Sequence, residues 1–179
     1  MSSGPTTVVV MGVSGAGKTT VAVALAQRLG WEFAEGDDFH PEANVEKMRA
    51  GFPLDDDDRR PWLQDVARWI GERERAGQSS VVTCSALKRS YRDLLREGND
   101  SVWFAHVAVP QTVLMDRLTT RKGHYMPASL LVSQLSTLEP LGEDEAGVTV
   151  PGIGDIDEVL AHILDGLAQD RGTALPSPG

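Results

Sequence analysis

Eight residues near the start, Gly12-Val13-Ser14-Gly15-Ala16-Gly17-Lys18-Thr19, constrain this chain more than any other stretch. They match G-x-x-x-x-G-K-[ST], a spacing with a physical cause. Glycines let the backbone turn so that successive N–H groups point inward and form a nest for phosphate oxygens. A helix starting near Lys18 adds the positive end of its dipole. The Lys18 ammonium can reach the outer phosphates, and the Thr19 hydroxyl suits Mg²⁺. Such a nest sits between a strand and a helix, and the flanks comply. Residues 6–11 are a β-branched run typical of a buried strand, and 19–29 read as a helix closed by Gly30. The expected nucleotide-binding set is Gly12 to Thr19 together with Thr20.

The rest of the chain alternates in the same way. Further strands are expected at 32–34, 79–83, 102–109 and 148–150. Helices are expected at 41–50, 61–76, 87–97, from Pro110 to about Arg121, at 127–138 and at 155–169. This order implies right-handed βαβ units and an α/β fold: a parallel five-stranded sheet with helices on both faces. Trp62, Val66, Trp69 and Ile70 share one helix face, and Ile156, Val159, Leu160, Ile163, Leu164 and Leu167 form a stripe on the last helix. Core packing is the first expectation for Trp31, Trp62, Trp69 and Trp103, with a homodimer interface as the alternative. A chain of 179 residues without an internal repeat reads as one domain over 1–170, with a frayed tail at 171–179.

Charge narrows the partners. The formal net charge is −9, which repels nucleic acid and requires locally clustered cations wherever an anion binds. No apolar run approaches the roughly 20 residues that span a membrane, and residues 1–7 lack a signal-peptide pattern; a cytoplasmic protein is expected. The one cysteine, Cys84, reads as a packed thiol.

Three places supply the chemistry that phosphoryl transfer needs, an orienting base and charge-spreading cations. Gly36-Asp37-Asp38-Phe39-His40 follows the second strand, where ligands of parallel sheets bind. Either Asp37 or Asp38 is placed there to accept a hydroxyl proton or to bind metal, and a helix cap or loop role is the alternative. Ser85 to Arg92 follows the strand 79–83 and carries Lys88, Arg89 and Arg92. Arg117 and Arg121 lie four residues apart on one helix face, with Lys122, Gly123 and His124 beyond; a lid over 117–140 would bring these cations to ATP. A small-metabolite kinase is the expectation. The alternatives are a shikimate- or nucleotide-kinase-like enzyme and a non-catalytic NTP-sensing module.

Four blocks give the chain a family resemblance. They are the phosphate loop; Gly36 to Pro41 with Asn44, Lys47, Met48, Gly51 and the run from Pro53 to Leu63; Cys84 to Lys88 with Tyr91, Arg92 and Asp93; and His124-Tyr125-Met126 with Leu130, Leu131, Ser133, Gln134 and Leu138 to Pro140. With them the chain resembles the bacterial-type gluconokinases, small P-loop kinases related to shikimate kinase. It departs in Tyr125, where phenylalanine is more usual, and in the stretch after Glu139. The resemblance implies a nucleoside-monophosphate- or shikimate-kinase-like fold with a helical lid, and transfer from ATP to gluconate with Mg²⁺. It also implies that 151–154 hold adenine. Asp37, His40, Arg59, Lys88, Arg92 and His124 become the expected substrate residues, with Lys18, Asp37 and Arg121 as catalytic groups. Arg59, Lys88 and Arg92 are the candidates for a carboxylate clamp.

Overall fold

The computed structural model describes residues 4–120 and 128–171, so the expected lid residues Arg121 and His124 and most of the expected tail lie outside it. At the centre is β1 (Thr7–Met11), whose five residues are all buried. Val8, Val9 and Val10 have no exposed surface, as a run apolar on both faces demands of a parallel strand covered on both sides. β2 (Glu32–Ala34), β3 (Ser80–Thr83), β4 (Val102–Ala108) and β5 (Gly147–Pro151) complete a sheet of order β2-β3-β1-β4-β5. Every pairing is parallel, with Val9 opposite Val82 on one side and Phe104 on the other.

This order reverses direction on either side of β1. From β1 the chain crosses to β2 at one edge, returns to β3 beside β1, and then passes to β4 and β5 on the other side, which opens a crevice at the carboxyl end of β1. The phosphate loop occupies that crevice and leads into α1 (Lys18–Leu29), capped by Gly30 at φ 70°. α2 (Glu42–Arg49) and α3 (Asp56–Arg75) follow β2; α4 (Arg89–Arg96) follows β3; α5 (Gln111–Thr120), α6 (Ala128–Thr137) and α7 (Ile156–Arg171) complete the described chain. The expected core positions on α3 and α7 are filled: Trp62, Val66, Ile70, Val159, Leu160, Ile163 and Leu167 are buried in one cluster with the sheet. Trp103 is fully buried as well, while Trp31 and Trp69 pack on the core partly exposed.

Most boundaries shift by one or two residues, and those of α3 and α7 have an identifiable cause. α3 starts five residues before Pro61, because the acidic run caps it. Asp58 N donates to Asp55 Oδ1 at 2.7 Å and Asp55 N donates to Asp58 Oδ2 at 3.0 Å, a reciprocal capping box. Asp56 to Asp58 therefore form the first turn, and Pro61 sits inside the helix on its exposed side. At the other end Arg171 belongs to α7, its guanidinium donating to the carbonyls of Asp100, Ser101 and Val102. Among the described residues no helix is long and apolar enough to cross a membrane.

Candidate active site

A cleft of about 220 Å³ opens at the carboxyl ends of β1, β2 and β3. Ser14, Gly15 and Gly17 to Thr20 form one wall; Glu35, Asp37 and His40 come from the end of β2; Arg59 and Trp62 come from α3; Ser85 and Gln134 close the remaining sides.

The β2 end is fixed by one close approach. Gly36 lies against β3 so tightly that a Cβ there would meet Thr83 O at 1.8 Å. Its N–H donates to Thr83 Oγ1 at 2.9 Å, and its carbonyl accepts from Trp62 Nε1 at 2.8 Å. Asp37, next in the chain, is thereby aimed at the cleft. Burial pushes its carboxyl up from the ordinary value, with the Lys18 ammonium opposing and Glu35 and Asp38 assisting the rise. The side chain is still 59 % exposed, because the cleft is open; a ligand that fills the cleft and expels water strengthens this upward push. Lys18 is its counterpart: burial lowers its pKa, and Asp37 and Glu35 hold it up. Its ammonium donates to Val13 O at 3.1 Å.

His40 is locked as a neutral imidazole. Its ring stacks on Trp62 with centroids 4.0 Å apart, and burial followed by the Arg59 charge brings its pKa down to about 4. The tautomer follows from the neighbours. Asn44 Nδ2 donates to Asp58 O at 2.9 Å, a carbonyl that can only accept, and the same nitrogen lies 3.2 Å from His40 Nδ1. Nδ1 therefore accepts, and the ring proton sits on Nε2, 4.0 Å from Asp37 Oδ1.

The phosphate loop divides its amides. Gly12 N donates to Ser85 O and Ala16 N to Val13 O, so these two amides are taken up by protein carbonyls. Gly12 has φ 149° and a Cβ there would meet Val107 O at 2.9 Å, which leaves glycine as the residue that fits. Ser14 N donates to Gln134 Oε1 at 2.7 Å. Arg117 spans the loop's outer side, donating to Gly15 O at 2.9 Å and Gly152 O at 3.2 Å. Beside it lies an apolar cavity of about 490 Å³ between the ends of β4 and β5, lined by Val109, Pro110, Pro151 and Ile153 among others.

The three expected clamp cations separate. Arg59 reaches the cleft: it is 8 % exposed and donates to Tyr91 Oη at 2.9 Å. Lys88 stands outside the cleft lining and pairs with Asp56 at 3.0 Å. Arg92 is not at the site. It is fully buried, bound to Glu145 at 2.6 Å, and donates to Ala86 O at 2.8 Å. Its charge goes to bracing the turn in which Ala86 adopts φ 46°. A cation spaced for the cleft on α4 instead pairs with the buried Glu145 carboxylate.

Glu35 and Gln134 are cleft residues that the sequence reading left out. Glu35 accepts from Thr19 Oγ1 and from Thr83 Oγ1, each at 2.6 Å. Its position just past β2 was a usable signal, equal to that of Asp37. Gln134 falls among Leu131, Leu135 and Leu138, and a lone amide on an apolar face was the available hint.

A protein-family profile described as "AAA domain" matches residues 8–141. A gluconokinase of Gluconobacter oxydans is 54 % identical over 160 residues, covering 89 % of this chain and 90 % of that protein. The crystal structure of a sugar kinase from Janibacter sp. HTCC2649 superposes with a TM-score of 0.88 at 48 % identity, covering 93 % of this chain and 96 % of the other. That of a gluconokinase from Sinorhizobium meliloti 1021 gives 0.81 at 46 % identity, covering 92 % and 93 %.

The buried imidazoles set a pH dependence. His106, on β4 beside Gly12, is also brought down to about 4 by burial and by the Arg92 and Lys18 charges. A histidine with a folded pKa below its unfolded value binds protons more readily in the unfolded chain. Stability is therefore retained above about 6.5 and falls as pH drops toward 4. By linkage each imidazole accounts for on the order of 2 kcal/mol between pH 7.5 and pH 5. Urea midpoints at those two pH values check this: wild type should lose stability at pH 5, and His40→Gln should lose less. Equal losses would contradict a neutral His40.

Proposed function

The chain belongs to the gluconokinase family, and on that premise we propose that it uses Mg-ATP to phosphorylate the terminal hydroxyl of D-gluconate, giving 6-phospho-D-gluconate. One observation carries the reading at the site: the phosphate nest, a carboxylate and a half-engaged buried guanidinium line a single cleft. A sensing module needs the nest alone, and a nucleotide kinase has no need of a carboxylate clamp.

The residues divide the work by their chemistry. Lys18 exchanges Val13 O for the β- and γ-phosphates, and its positive charge grows in value as the cleft dries. Asp37 orients the attacking hydroxyl and takes its proton; a carboxylate raised from its ordinary pKa is the better acceptor. His40 offers Nε2–H to a neighbouring substrate oxygen, which fixes which hydroxyl faces Asp37. Arg59 uses one nitrogen on Tyr91 and keeps donors for the gluconate carboxylate. Lys88 reinforces it from the rim once drawn from Asp56. Arg121 and His124 are proposed to add charge and a substrate contact from the segment beyond α5.

The donor set fits Mg²⁺. Thr19 hydroxyl and Glu35 carboxylate are hard oxygen ligands already in contact with each other, and Mg²⁺ takes one or two such groups beside phosphate and water. The ion would neutralise charge on the outer phosphates. Thr83 holds Glu35 from behind, so the carboxylate stays aimed at Thr19. Adenine is proposed to enter the apolar cavity beside Pro151 and Ile153, with Arg117 between base and phosphates.

A coupled ADP-release assay across sugar acids, shikimate and nucleoside monophosphates tests the proposal; gluconate should be the preferred acceptor, and preference for another would overturn it. Within that assay Asp37→Asn should lower kcat by roughly 10²–10⁴-fold with a smaller effect on KM. A change in KM alone would make Asp37 a binding group. Arg59→Ala should raise the KM for gluconate roughly 10- to 100-fold, the worth of a charge-assisted hydrogen bond, and leave the KM for ATP unchanged. The opposite pattern would move Arg59 to the nucleotide.

A further inference from the structure

Gln134 accepts from a backbone amide of the phosphate loop at the cleft. Its Oε1 receives Ser14 N–H at 2.7 Å, a short bond from a backbone group of the phosphate nest. Such a nest works through N–H groups that meet phosphate oxygens, so a phosphate at this position competes with Gln134 for the same proton. The position identifies which phosphate. Ser14 lies three residues before the Gly17 N-cap of α1, on the arm of the loop remote from the helix start, whose backbone amides, as distinct from the Lys18 side chain, would take the inner phosphates. Ser14, like Lys18, lines the cleft that holds Asp37, His40 and Arg59, the acceptor side. The phosphate nearest the acceptor is the one transferred.

A carboxamide is suited to this exchange because it carries an acceptor and donors on one planar group. Oxygen toward Ser14 satisfies a backbone donor; with that donor taken by phosphate, rotation presents NH₂ to the negatively charged oxygens. The amide is half-buried on α6, and Leu130 and Leu131 anchor that helix in apolar clusters, so the group is held at the cleft. Resting on the kinase reading above, we infer that Gln134 is a further residue of the transfer site: it trades the Ser14 N–H for the terminal phosphate and donates its NH₂ to the transferring group.

Two variants separate this from a purely anchoring bond between α6 and the loop. Gln134→Glu keeps size and acceptor but loses both donors and adds negative charge. It should weaken binding of a β,γ-imido ATP analogue at least ~10-fold, move ADP affinity far less, and lower kcat with gluconate by roughly 10²–10³-fold, the range for losing an electrostatic donor. Gln134→Ala, which removes donor and competitor together, should also lower kcat while leaving ADP affinity unchanged. Calorimetry supplies the affinities and thermal melts confirm folding. Wild-type kcat in either variant overturns the inference, as does an equal shift of analogue and ADP affinity, which marks an anchor. If wild type binds the analogue and does not turn over gluconate, the substrate reading fails, and the analogue-to-ADP comparison still decides the role of Gln134.

Discussion

The turn from β1 into α1 is the constraint from which the rest of the molecule takes its layout. β1 is completely buried between β3 and β4, so the chain has to leave it at the sheet's carboxyl edge and reverse within a few residues. Gly12 and Gly17, at φ 149° and 90°, make that reversal possible where side chains would clash or strain. The outcome is a row of backbone donors at a helix start, a positive potential built into the main chain. Asp37 and His40 reach the cleft from the end of β2, and Arg59 from α3.

The local charge balance runs against the chain's overall sign. A net charge of −9 opposes two anionic ligands, and the cleft answers with Lys18, Arg59 and oriented amides. Burial presses both Lys18 and Asp37 toward their neutral forms, and each partly restrains the other. A phosphate that pairs with Lys18 removes part of the restraint on Asp37 and leaves its carboxyl the better proton acceptor. Farther out, the α4 cations are spent on structure. Arg89, Arg92 and Arg96 all converge on the buried Glu145, and this cluster stiffens the turn at Ala86 that carries Ser85 to the cleft.

Much of this was readable from residue order. The phosphate motif placed β1 and α1, the β-branched runs placed the sheet, and heptad-like spacing on α3 and α7 named core residues that are buried. The helix expected from Pro61 starts five residues earlier, at Asp56, because a reciprocal Asp55–Asp58 cap extends α3 backward. Arg92 shows the limit of local reasoning: its fate is set by Glu145, 53 residues away, and no spacing rule announces that partner. Glu35 was legible in principle, and Gln134 only as an anomaly on an apolar face, because the importance of each comes from a contact made by folding.

Calorimetric titration of the purified, folded chain with Mg-ATP tests the central claim most directly. The account predicts saturable binding to one site, abolished in Lys18→Ala while its thermal melt stays close to wild type. Folded wild-type protein that takes up no Mg-ATP, or a Lys18→Ala variant that binds and turns over like wild type, would contradict it.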